Sequence, residues 1–148
     1  MRMFGATFVL LAFALPPIAK ASDMKEAYIV CNATPDGPGK QQCMKSLRPK
    51  YRSKAFSVKM CANTFWVATF VAIDDSLGIH DADYEKALKM LEIMNKAGSI
   101  GQENSQRSGQ GMYEMAGYYN SLGSEWKPWA DACGRLAKWV ILNPNPAQ

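Results

Sequence analysis

Apolar residues return along this chain at intervals of three and four and nowhere with a sustained period of two, a pattern that predicts helices throughout. Met24, Ala27, Tyr28 and Cys31 fall at i, i+3, i+4 and i+7, with Asp23 and Glu26 in capping-box spacing around them, which predicts a short helix ending by Asn32. Residues 34–39, Thr-Pro-Asp-Gly-Pro-Gly, are turn chemistry from end to end. Residues 40–47 suit one or two helical turns before Pro49. Ser53 then suits the N-cap of a long helix running to about Ser76, with Met60, Thr64, Val67 and Val71 on one face and Phe56 and Phe70 beside them. Lys59, Asn63 and three hydroxyl residues interrupt the apolar run of residues 55–73, so a buried central helix is expected rather than a membrane span.

The second half continues in kind. Asp81 or Asp83 caps a helix whose apolar set is Tyr84, Ala87, Leu88, Leu91 and Met94, with an expected end at Gly98. Residues 98–111 are polar and glycine-containing and predict a loop or a frayed helix start. Met112, Met115, Tyr119 and Leu122 predict a helix closed by Gly123. Ser124 caps a last one that puts Trp126, Trp129, Ala130, Cys133, Leu136 and Val140 on one broad face. Pro128 falls in its first turn, where a missing amide costs little, and Asn143-Pro144 stops it. The expected fold class is all-α: a small disulfide-stapled helical bundle of about four main helices plus one or two short ones, without repeats.

The first 21 residues do not belong to that bundle. Arg2, the small and apolar run of residues 4–15, the break at Pro16-Pro17 and the small-x-small triplet Ala19-Lys20-Ala21 form a signal peptide, cleaved between Ala21 and Ser22. Residues 22–148 are then one helical domain. A composition of 48% hydrophobic and 20% charged residues is that of an ordinary globular chain and excludes disorder. The formal charge of +4 loses Arg2 and Lys20 with the signal, too small an excess to point to nucleic acid. All four cysteines, Cys31, Cys43, Cys61 and Cys133, follow the signal, which fits two disulfides in an exported domain, periplasmic or secreted. Three connectivities are open. Cys31 and Cys43 flank the turn, and Cys61 and Cys133 lie on two strongly apolar helical stretches, so those two pairs are expected. Close cysteine pairs with histidines, and a haem attachment motif, are both absent, so no metal or cofactor is expected.

Catalytic signals are sparse. His80, the single histidine, sits among Asp74, Asp75, Asp81 and Asp83, but the spacing does not fit a calcium loop and the aspartates suit helix ends. Residues 40–59 carry seven basic side chains and no acid, whereas residues 74–92 carry six acids against Lys86 and Lys89. The basic stretch, with Arg48, Lys50 and Arg52 at its centre, either meets an anionic partner or membrane surface or is matched by the acidic stretch in the fold. Trp126, Met115 and Tyr119 have core spacing. Tyr118, Trp129 and Trp139 are the candidate surface anchors for a protein partner.

The layout Cys61-Ala62-Asn63-Thr64-Phe65-Trp66 at the front of the most apolar helix, with Asp131-Ala132-Cys133-Gly134-Arg135-Leu136 in the final one, resembles the periplasmic immunity proteins that protect bacteria from type VI secretion amidases. The likeness spans residues 57–144. The glycine-tyrosine motif followed by Asp-Ala seen in part of that group is not reproduced, residues 70–75 having different spacing, and the pair Cys31 and Cys43 is additional. What the resemblance implies is a non-enzymatic inhibitor that occludes the active site of a cell-wall hydrolase. The alternatives are a secreted or membrane-surface protein working through the basic segment, and a helical enzyme using carboxylates such as Glu92, Glu103 or Glu114.

Overall fold

The computed structural model describes residues 24–57, 61, 63–104 and 108–144, so the signal segment, Asp23 and Met60 lie outside the described residues. Among these the chain is helical, with no strand: α1 (Met24–Ala33), α2 (Pro38–Ser57), α3 (Phe65–Leu77), α4 (Ala82–Glu103), α5 (Ser108–Ser121), a 3-10 turn over Ser124–Trp126, and α6 (Lys127–Leu142). Each helix packs on the next in sequence, α5 against α6 most extensively. Short loops make sequence neighbours antiparallel partners, as in other helical bundles.

The two expected disulfides are the ones formed. Cys31–Cys43 ties α1 to α2 with a Cα separation of 5.5 Å, and Cys61–Cys133 ties the α2–α3 connection to the middle of α6 at 4.6 Å. Such bridges belong to chains that fold in an oxidising compartment. Among the described residues no helix is long and apolar enough to cross a membrane.

Three boundaries depart from the periodicity. First, α2 runs unbroken through Pro49, where the sequence predicts a stop. The proline deprives only the Lys45 carbonyl of its partner. Lys45 and Pro49 are both exposed, so water can serve that carbonyl, while Met44, Leu47, Tyr51 and Ala55 form a buried stripe through the same turns. Second, there is no single helix from Ser53 to Ser76. Among the described residues α2 ends at Ser57, Cys61, Asn63 and Thr64 are not helical, and α3 begins at Phe65, where the Asn63 carboxamide oxygen accepts the Phe65 N–H at 3.3 Å, so Thr64 precedes α3 rather than sharing its face. This break delivers Cys61 to Cys133.

Third, most of the described part of the glycine-rich stretch after Gly98 is helix. α4 continues to Glu103 and α5 already begins at Ser108. Glycine there is a packing residue: a Cβ on Gly111 would overlap the Gly101 carbonyl oxygen, and one on Gly109 would meet Ile141 Cγ1 at 2.5 Å. Backbone meets backbone where α4 crosses α5, and α5 seats closely on α6. That seam selects the small face of α6, with Ala130, Cys133 and Ala137 buried and Trp126 just ahead of them. Leu136, expected inside, is 39% exposed instead, and Val140 is half-buried.

The core is aromatic at both ends. Tyr51 is fully buried, donates its hydroxyl to the Met24 carbonyl and meets Tyr28 edge-on and Trp66 at 5.5 Å. Burial, with the neighbouring Tyr28 adding, pushes the Tyr51 phenol up to about 12. Tyr119 stacks on Trp126 with ring centroids 5.6 Å apart, and Trp129 leans on Trp126 at 4.8 Å.

Candidate functional site

The charged stretches that the sequence sets apart meet at the junction of α2, α3 and α4. Arg48 stands beside the buried stripe of α2 and reaches Asp74 near the end of α3, Nε to Oδ1 at 2.7 Å and Nη2 to Oδ2 at 3.2 Å. The same Nη2 donates to Asp81 Oδ2 at 2.7 Å, while Asp81 Oδ1 accepts the Asp83 and Tyr84 N–H groups at 3.1 and 3.0 Å, capping α4. Arg52 pairs with Asp83 one turn further on. Burial holds the Asp74 carboxyl above the usual carboxylate range, Arg48 pulling against it. The hydrogen bond to Asp74 raises the Arg48 guanidinium, and the Tyr84 amide holds Asp81 below its ordinary value, helped by Arg48. Arg48 and Arg52 are thus occupied by the fold itself.

His80 lies on the outer side of this junction. Its Nε2 is 3.1 Å from Asp75 Oδ1, which also accepts the Tyr84 hydroxyl at 2.8 Å, and its ring packs on Tyr84 at 4.6 Å. That bond to Asp75 raises the Tyr84 phenol. Gly78, in left-handed conformation at φ 65°, ends α3, with its N–H on the Asp75 carbonyl and the Ile79 N–H on the Asp74 carbonyl. The cluster therefore fastens the α3–α4 turn. Among the described residues no three histidine, cysteine or acidic side chains are grouped to hold a metal ion.

The remaining sequence candidates do not converge. Lys50 is exposed on α2. Tyr118 is half-buried against Tyr119, with Lys96 Nζ 5.6 Å from its ring. Trp129 is half-buried on Trp126 and its indole N–H is shielded from solvent. Trp139 alone is an open anchor, 51% exposed on α6. It has company that the sequence reading placed inside or passed over: Leu136 at 39%, Ile141 at 55% and Leu142 at 69%. One signal for them was present. Trp139, Val140, Ile141 and Leu142 are consecutive, and four consecutive helical residues cannot all face one core.

Lys127 Nζ pairs with Asp131 Oδ1 at 3.0 Å, and beyond Asp131 the described part of α6 carries only Arg135 and Lys138, both exposed. Elsewhere a shallow cavity of about 340 Å³ opens between α1, α2 and the end of α3, lined by Asn32, Gln41, Met44 and Ser76 with the paired Asp36 and Lys40.

No family model, curated protein or solved structure matches the chain.

Proposed function

We propose that this chain is an exported, non-enzymatic binding protein that acts by docking through the outward face of α6. The observation that carries the reading is the exposure of Leu136, Trp139 and Leu142 along one side of a rigid helix, tied to the bundle by Cys61–Cys133. Binding needs only such a fixed surface with a few aromatic or aliphatic anchors. The two disulfides and the signal-like first 21 residues support export to an oxidising compartment, the periplasm above all. In the reading that the immunity-protein resemblance suggests, the docked partner is a cell-wall hydrolase held in a one-to-one complex with its active site covered. A membrane surface is the second reading, favoured by the apolar last turn of α6 with Arg135 and Lys138 in the turn that precedes it.

The test pairs two variants of the purified protein. Trp139→Ala should leave the unfolding transition in place and weaken the complex by about 2 kcal/mol or more, the scale of an interface anchor. His80→Ala should leave binding intact. The reading fails if the protein turns over a substrate and a substitution at His80 or a single carboxylate abolishes that turnover, or if the α6 variants bind every partner as tightly as the parent.

A further inference from the structure

The last turn of α6 differs from an ordinary docking stripe in being apolar on every side. Trp139, Val140, Ile141 and Leu142 follow one another at steps of about 100° and so span the helix circumference. Ile141 leans over Gly109 of α5 and still keeps 55% of its surface in solvent, while Trp139 keeps 51% and Leu142 69%. Arg135 stands one turn back and Lys138 immediately before Trp139, and no acid follows Asp131 among the described residues.

The shape and the charge discriminate between occupants. A groove on a globular partner covers one i, i+3/i+4, i+7 stripe of a helix and would leave the other sides of this turn in water. A second copy of the chain would bring Arg135 and Lys138 toward the same cations, with Asp131 already bound to Lys127. A lipid headgroup layer surrounds whatever enters it. It would cover the exposed Trp139, Ile141 and Leu142 together, with Val140 already half-buried, hold the Trp139 indole at the depth that indoles favour, and set both cations against anionic headgroups. Resting on the docking reading above, we infer that the end of α6 is a shallow anchor for an anionic lipid surface, entering the headgroup region of a bilayer without crossing it.

The purified protein is mixed with vesicles of phosphatidylglycerol and phosphatidylethanolamine, and in parallel with vesicles of phosphatidylcholine alone, and partition is read by co-sedimentation at low and at physiological salt. The anionic vesicles should bind the protein more strongly, and salt should weaken that binding. Trp139→Ser with Leu142→Ser should lower partition at least about tenfold by removing the inserted apolar surface. Arg135→Gln with Lys138→Gln should lower it by roughly fivefold per cation on the anionic vesicles only. All four side chains are exposed, so circular dichroism and the unfolding midpoint should match the parent and separate lost anchoring from lost fold. Lys45→Gln with Lys50→Gln, on the outer side of α2, controls for charge in general. Absence of vesicle binding, undiminished binding of the Trp139/Leu142 variant, or an α2 effect as large as the α6 one overturns the inference. Failure on vesicles together with a one-to-one protein complex or a dimer lost in Trp139→Ser overturns the lipid anchor and leaves docking through α6 standing. Failure of both discards the docking reading as well.

Discussion

Replacing Arg48 with methionine tests whether this residue belongs to the fold or to an interface. The substitution keeps most of the aliphatic stem and removes the guanidinium, leaving Asp74, which has 0% side-chain exposure, without its two hydrogen bonds at 2.7 and 3.2 Å. Removing one member of a buried pair strands the other charge and costs about 3–5 kcal/mol, a large share of the 5–15 kcal/mol that holds a typical domain together. Arg48→Met combined with Asp74→Asn should recover at least half of that loss, since the stranded charge is gone. The pH dependence gives a second signature. Burial, with Asp81 and Asp75 adding, keeps Asp74 above the usual carboxylate range, and losing Arg48 raises it further. A carboxyl whose folded value lies above its unfolded one contributes stability at acid pH that is lost as pH rises through the folded value. The penalty of Arg48→Met should therefore be small in acid and grow toward neutrality. Urea unfolding followed by tryptophan fluorescence across pH measures both effects. A neutral-pH penalty below about 1 kcal/mol, or one that is flat with pH, would refute the buried-pair account and return Arg48 to the surface as a docking residue.

Three further outcomes follow from the packing. Converting Cys61 and Cys133 to alanine should destabilise more than converting Cys31 and Cys43, about 4 against about 3 kcal/mol on the chain-entropy account, because the loops closed span 72 and 12 residues; paired thermal melts of the two double variants show the order. Gly111→Ala should cost about 1–3 kcal/mol by forcing α4 and α5 apart, in line with other overpacked cores. Gly117→Ala, where a Cβ meets nothing within 4 Å on the exposed side of the same helix, should be neutral or stabilise by up to about 1 kcal/mol; equal losses at both glycines would contradict the close crossing.

Much of this molecule was legible before any coordinate. The all-helical class follows from the period of the apolar residues, a cap for α4 from Asp81 or Asp83, the close of α5 from Gly123, and both cystine pairs from where the cysteines fall on that pattern. These are short-range properties: backbone geometry, caps and spacing act within a few residues and can be read along the chain. The partner of Arg48 could not be read this way, for Asp74 and Asp81 lie 26 and 33 residues away and become its ligands only when α2, α3 and α4 meet. Nor could the role of Gly101, Gly109 and Gly111. A glycine in a polar stretch reads as a breaker, and only a second helix at backbone contact turns it into a seam. That seam also decided the rotation of α6, burying Ala137 and leaving Leu136, Trp139 and Leu142 outside, because the closest approach of two helices is set by their smallest side chains and not by their most hydrophobic ones.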